Sequence, residues 1–278
     1  MTDADARIAQ NVLAHDAVAR TYDAQHPEIF NEIEQARLAA AVREALGAVH
    51  PASLPGARVL DVGTGTGNLT AHFLTAGAQV TAADVSPECL RVVREKFDHT
   101  GRLESQLLDG RSLAPLPDGA FDVAACYSVL HHVPDYPALV REMARVVRRG
   151  GVVYIDHERH DASWKPSAER DAFMAEAIVW PPKRWTRFIT PANFWKRIKP
   201  LLSWRRWRDP RWMPEGDLHI WPDDHIEWTR VEAALAAAGV KPVAVRDYLL
   251  FEARYRRDAW ERWRERITDY RTWIGSKA

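Results

Sequence analysis

The sequence predicts an α/β protein built on a doubly wound, mostly parallel sheet of seven strands, and three observations carry that reading. Five short apolar runs, at residues 58–62, 79–84, 103–108, 121–127 and 151–158, alternate with helical patterns at 68–75, 87–97 and 136–147. Those runs are nearly continuous in hydrophobicity, as strands of a parallel sheet covered on both faces are. Two further strand-like stretches within 240–256 bring the count to seven. Right-handed crossovers leave few ways to connect such elements, and the doubly wound sheet is the commonest of them. With 278 residues, the chain has room for one α/β domain of roughly 200 residues plus an insertion or small lobe.

Ahead of the sheet, Ile8, Val12 and Ala19, then Ile29, Ile33, Ala36, Leu38, Ala40 and Val42 recur at roughly helical spacing, interrupted at His26-Pro27. Residues 1–50 are therefore expected to form a helical N-terminal lid in two or more pieces. The run His50-Pro51-Ala52-Ser53-Leu54-Pro55-Gly56 marks a linker into the core, residues 51–158. A helix over 228–238 ends at Gly239, placed as a C′ glycine. Trp260, Trp263, Ile267, Tyr270 and Ile274 follow at alternating three- and four-residue steps, which predicts a tail helix docked on the domain. Residues 228–278 are thus expected to complete the core with a helix, a strand pair and that tail helix. Residues 159–227 form an insertion of different composition.

Lys+Arg and Asp+Glu are equal at 38 each, with 46% hydrophobic and 27% charged residues. This is an ordinary globule rather than a disordered chain, and its neutrality speaks against a uniformly basic nucleic-acid binder. Two cysteines, Cys89 and Cys126, cannot build a disulfide framework, and the opening residues MTDADARIAQ do not read as a signal peptide. A cytoplasmic location is the expectation. No apolar run approaches the roughly 18 to 20 residues of a membrane-spanning helix.

The first strand, Arg58-Val59-Leu60-Asp61-Val62, runs into Gly63-Thr64-Gly65-Thr66-Gly67-Asn68 and then a helix. Glycine admits positive φ and close approach of a ligand to the main chain, and the helix that follows directs unpaired N–H groups at that ligand. A nucleotide-like ligand is expected at the tip of the strand. The glycines fall as G-x-G-x-G, whereas the dinucleotide fingerprint is G-x-G-x-x-G, which disfavours a nicotinamide oxidoreductase. Nor does a G-K-S/T follow to bind a triphosphate.

VLDVGTGTGNLT resembles the first motif of the class I (Rossmann-like) S-adenosylmethionine-dependent methyltransferases. VTAADVS, LLDG, FDVAACYSVLHHVPD and RVVRRGGVVYIDHE resemble that family's later elements in order and spacing. The resemblance covers residues 57–158 well, the N-terminal helices moderately and the insertion hardly at all. It implies S-adenosylmethionine as cofactor and S-adenosylhomocysteine as product. Asp84 would accept the ribose hydroxyls, Asp109 and Gly110 would read the adenine, and Tyr22 would match a lid tyrosine. The implied cofactor set is Tyr22, Asp61, Gly63, Thr64, Gly65, Gly67, Asp84, Val85, Asp109, Gly110, Tyr127 and His132. Thr64 departs from the family's frequent Cys or Ser, which matters little where the backbone binds.

Methyl transfer from a sulfonium is an in-line displacement, so positioning and desolvation carry much of the catalysis, and a base is needed only where the acceptor must lose a proton. His131 and His157 are the catalytic candidates, with His132, Asp156 and Glu158 nearby. The Asn/Asp-Pro-Pro-aromatic segment of adenine amino methylation is absent at Tyr127-Ser128-Val129-Leu130, and neither cysteine has the Pro-Cys context of a nucleophile. Clusters at 156–161 and 219–227 contain metal-ligand types, but solvated loops commonly do, and no metal is expected.

Eight of the twelve tryptophans fall between Trp180 and Trp228, and residues 183–211 carry ten Lys/Arg against one acid, Asp209. Three readings stand: a lobe packed by tryptophan and covered by arginine, a cap over a lipophilic or anionic small molecule or a membrane interface, and a nucleic-acid surface. The function expected is methylation of a small, hydrophobic organic acceptor. An RNA methyltransferase and a catalytically inert S-adenosylmethionine-binding protein are the alternatives.

Overall fold

The computed structural model describes residues 3–50, 56–178, 211, 213 and 216–278. Five parallel strands, β1 (Arg58–Val62), β2 (Gln79–Asp84), β3 (Leu103–Leu107), β4 (Phe121–Tyr127) and β5 (Val147–Arg159), form most of one sheet. A short hairpin, β6 (Ile220–Trp221) and β7 (Asp224–His225), lies outside it, and β8 (Val240–Tyr248) and β9 (Tyr270–Lys277) complete it. The strand order is β3-β2-β1-β4-β5-β9-β8, with β9 antiparallel to both neighbours. The order reverses between β1 and β4, and a crevice is expected outside the carboxyl ends of strands at such a reversal.

Helices α1 (Asp3–Val18), α2 (Tyr22–Gln25) and α3 (Glu32–Gly47) precede the sheet, and α4 (Asn68–Thr75), α5 (Pro87–Phe97) and α6 (Tyr136–Val146) connect its strands. The later helices are α7 (Ala168–Ala177), α8 (Trp228–Ala237) and α9 (Arg257–Trp263). Successive strand residues point to opposite faces, and each face of the sheet buries its own cluster. Val59, Val123, Tyr154 and Ile274 pack with Leu38 of α3 and Phe73 of α4. Leu60, Ala124, Val153 and Trp273 pack with Met143 of α6 and Leu235 of α8. Caps fix the helix starts: Asn31 Oδ1 accepts from the N–H groups of Ile33 and Glu34, and Ser86 Oγ from that of Cys89 ahead of Pro87.

Two expectations at the carboxyl end need correction. The tail helix is absent: α9 stops at Trp263, and Tyr270 and Ile274 belong to β9. Strand β9 lies between β5 and β8, with Trp273 and Ile274 in opposite cores, so burial on both faces hides its alternation. The strand pair within 240–256 is one strand, β8, because Leu249 and Tyr255 turn away to bury against Phe173 of α7 and Trp260 of α9. The sheet still has seven strands, since β9 supplies the seventh. Trp180, Trp185, Trp195, Trp204, Trp207 and Trp212 lie outside the described residues, so the three readings of the insertion do too. Trp228 is core, and Trp221 lies 6.0 Å from the Arg211 guanidinium.

Candidate functional site

At the carboxyl end of β1 the glycine loop is held from two sides. Beneath it, the buried Asp61 Oδ2 accepts from the hydroxyls of Thr64 (2.9 Å) and Thr70 (2.6 Å). Beside it, the Gly63 and Thr64 N–H groups donate to Ala83 O, and the Gly65 N–H donates to Asp84 Oδ2 (2.8 Å). The other Asp84 oxygen accepts from the Ser86 N–H (2.8 Å). Gly65 has φ +53°, and a Cβ there would meet no atom within 4 Å, because that side opens into a cavity. Gly67 turns the chain into α4 at φ +90°, where a Cβ would lie 2.7 Å from the Phe97 ring.

The cavity is bounded by this loop, the ends of β2 and β4, and helices α1 and α2. Tyr22, Asp61, Gly63, Thr64, Gly65, Asp84, Val85, Gly110, Tyr127 and His132 all line it. Two of the twelve sequence-predicted cofactor residues do not. Gly67 sits behind the loop, and Asp109 lies on an exposed turn, where Oδ1 accepts from the N–H groups of Arg111 and Ser112. Those backbone donors hold the Asp109 carboxyl below its usual range. Burial does the reverse inside the cavity. It pushes Asp61 up to about 6 against its two hydroxyl donors, and raises Asp84. Two carboxylates short of solvent favour a ligand that brings positive charge.

The N-terminal helices close over this crevice through a few polar ties. Asp23 of α2 accepts from Lys96 Nζ (2.6 Å) and from the Thr66 hydroxyl of the glycine loop (2.5 Å). Asp16 of α1 accepts from Ser86 Oγ, beside Asp84. Tyr22 packs its ring 4.1 Å from that of His26, at the bend where the helical pattern breaks.

Beyond β4 lies a second cavity, which shares Ser128 with the first and is also lined by His131, His157, Glu158, Arg159, Trp164, Asp217, His219 and Tyr270. Among the described residues Ser128 (φ +60°) and His157 (φ +61°) are the positive-φ non-glycine residues: Ser128 directly follows β4, and His157 lies within β5 where its register against β9 shifts. Such conformations persist only where the surroundings over-determine them. Around His157 they do: its ring stacks on Tyr127 (4.6 Å) and Tyr270 (4.2 Å), and the Tyr127 and Tyr248 hydroxyls each lie 3.0 Å from Nδ1. Burial and the nearby Arg37 charge hold the His157 imidazole well below its usual pKa.

Behind it, Arg37 donates to Asp156 Oδ2 (3.1 Å) and to both oxygens of Glu34. Glu158 organises the loop after β4, with Oε1 accepting from the Val129 (2.7 Å) and Leu130 (2.6 Å) N–H groups and Oε2 from His131 Nδ1 (2.9 Å). Both catalytic candidates therefore line the second cavity with Nδ1 already engaged.

Sequence reasoning missed Asp217 and Trp164 altogether, and weighed His219 only as part of a polar loop. Asp217 is far from His131 along the chain. It is brought back because the Leu218 and His219 N–H groups donate to His131 O (2.9 and 3.1 Å). One atom each of His131, His132 and Asp217 then falls within 4.8 Å of the others, a grouping able to hold a metal ion.

A family model described as Methyltransferase domain matches residues 60–155. A ubiquinone biosynthesis O-methyltransferase from Xanthomonas campestris pv. campestris (strain B100) is 32% identical over 153 residues, covering 54% of this chain and 64% of that protein. The chain thus spans just under two thirds of that relative's length. Among solved structures, an S-adenosylmethionine-dependent methyltransferase from Mesorhizobium loti superposes with a TM-score of 0.55 at 21% identity, covering 85% of this chain and 98% of that one. A methyltransferase in complex with the Haloferax volcanii Trm112 methyltransferase activator gives 0.56 at 18%, covering 94% and 96%. At these identities the likeness is one of fold.

Proposed function

We propose that the chain is a class I S-adenosylmethionine-dependent methyltransferase and that it transfers a methyl group to a small, largely hydrophobic organic acceptor. The observation that carries the proposal is the single crevice in which the glycine loop, Asp61, Asp84 and the lid residue Tyr22 meet. These residues fit the cofactor. S-adenosylmethionine is cationic at sulfur and at its amine, and the crevice offers two desolvated carboxylates and a glycine loop with open space on the Cβ side of Gly65. When bound, the cofactor supplies a methyl group on a sulfonium, ready for in-line displacement.

The chain's own residues then do three things. Asp84, already oriented by two backbone N–H groups, exchanges the Gly65 N–H for ribose hydroxyls. The lid helices exclude water, with Asp23 tying them to Thr66 and Lys96. His131 and His157 act as positioning groups, one aligning the Glu158 loop and the other packing between Tyr127 and Tyr270. The second cavity, which joins the crevice at Ser128, is the acceptor's place in this reading. An oxygen acceptor is favoured by the relative named an O-methyltransferase. Among the described residues no helix is long and apolar enough to cross a membrane.

The reading is tested by incubating the full chain with S-adenosylmethionine and a panel of phenolic and lipophilic hydroxyl compounds, with RNA as a parallel arm. S-adenosylhomocysteine is measured by mass spectrometry. Product with a small acceptor is expected. Product only with RNA would transfer the assignment to nucleic acid, and cofactor binding with no product in any arm would leave a binding protein.

A further inference from the structure

We propose that His131, His132 and Asp217 form a site for one divalent transition-metal cation at the wall between the two cavities, with Zn²⁺ the ion best matched to two imidazoles and a carboxylate. Asp217 Oδ1 lies 3.8 Å from His131 Nε2 and 3.2 Å from His132 Nδ1. Zinc ligands about 2.1 Å from the ion in tetrahedral geometry stand roughly 3.4 Å apart, a value these two separations bracket, and the three ligand atoms all lie within 4.8 Å of one another.

Three independent features favour a cation there. The first is the arrangement behind His131. Glu158 accepts from Nδ1 at 2.9 Å and is itself fixed by the Val129 and Leu130 N–H groups. That is the carboxylate–histidine–metal pattern, which sets the tautomer with Nε2 as ligand and raises its basicity.

The second is His132. Its Nδ1 is shut off from solvent and makes no hydrogen bond, although Asp217 is only 3.2 Å away. Edge-on packing of the His15 ring at 5.0 Å fixes the position of the His132 ring.

The third is charge. Glu158 is 2% exposed and Asp217 14%, and they face two imidazoles. Arg159 on the same cavity wall lies over the Trp164 and Tyr270 rings at 5.1 and 5.5 Å. A divalent ion would offset the negative charge of these two carboxylates.

His132 belongs to the wall of the cofactor crevice, and His131 and Asp217 to that of the second cavity. A cation bound by all three would present a coordination position to an acceptor hydroxyl or carboxyl oxygen. That role rests on the methyltransferase reading; the binding site itself does not.

The test is to strip the full chain with chelator and titrate it with ZnSO₄, then with CoCl₂. One Zn²⁺ per chain is expected at submicromolar affinity, with Co²⁺ giving visible d–d bands. Asp217→Asn and His132→Ala are expected to weaken binding at least a hundredfold, and Glu158→Gln ten- to a hundredfold. His99→Ala, on the exposed surface, is expected to leave it unchanged. Failure to bind one equivalent overturns the proposal, as does affinity that survives both Asp217→Asn and Glu158→Gln, substitutions chosen to preserve shape and folding. Titration with S-adenosylhomocysteine in parallel separates the two claims: retained binding without zinc affinity sinks only the metal site, and zinc affinity without nucleoside binding sinks only the methyltransferase reading.

Discussion

The two cavities at the carboxyl edge of the sheet share Ser128 but are built by different means. The cofactor crevice is shaped mainly by main chain: the loop 63–67 and the strand ends at Asp61 and Asp84 fall within 24 residues, joined by backbone hydrogen bonds. The second cavity is shaped by side chains drawn from the ends of β4 and β5, a turn near Trp164, the segment 217–226 and the start of β9. Backbone sites tolerate variation in side chain and demand glycine at fixed positions. Side-chain sites are free to change with the acceptor. On the reading proposed above, the first cavity takes the constant ligand and the second the variable one.

The sharpest way to break that contrast is Gly65→Val. A β-branched residue at φ +53° is strained, and its side chain would fill the crevice. Loss of detectable S-adenosylhomocysteine binding is expected, with the circular dichroism of the sheet preserved. Normal affinity would show that the ligand does not approach the loop.

A second experiment uses the buried carboxyl under the loop. Asp61 holds its proton to about pH 6 in the folded protein, well above the ordinary carboxyl range. The folded state therefore binds the proton more tightly than the unfolded chain, and stability falls as pH rises from about 4 through about 6. The loss is roughly 3 kcal/mol at most, since each pKa unit corresponds to about 1.4 kcal/mol. Urea unfolding of wild type and Asp61→Asn at pH 4 and pH 7 is expected to show this decrement in the wild type and its absence in the variant. Equal pH dependence would mean that Asp61 is ionised and solvated, and that the crevice lacks the desolvated charge inferred for it.

The same contrast explains what was legible in the sequence. Strands β1, β2 and β4 match their apolar runs closely, because strands buried on both faces leave short, unmixed signals between helices with clear periodicity, whereas β3 (Leu103-Glu104-Ser105-Gln106-Leu107) is an edge strand with Glu104, Ser105 and Leu107 exposed, located in the sequence by its place between two helical patterns. Asp61, Gly65 and Asp84 were picked out by the family resemblance of their motifs, and the structure brings all three to the wall of one cavity. Strand β9 was misread because two-sided burial of Trp273 and Ile274 left a stripe that also fits a helix. Asp109 kept its position in the motif, but its side chain caps its own turn, which spacing cannot foretell. Asp217 carried no signal, since its meeting with His131 depends on two backbone hydrogen bonds across a long stretch of chain.

The central claim, that the glycine-loop crevice is the S-adenosylmethionine site, is tested most directly by calorimetric titration of the full chain with S-adenosylhomocysteine, beside the Asp84→Ala variant. The account predicts saturable one-to-one binding to the wild type. It also predicts a ten- to hundredfold loss in the variant, roughly 1.5 to 3 kcal/mol for charge-assisted hydrogen bonds to a ribose. No saturable binding to the wild type, or equal affinity in a folded Asp84→Ala protein, would contradict it.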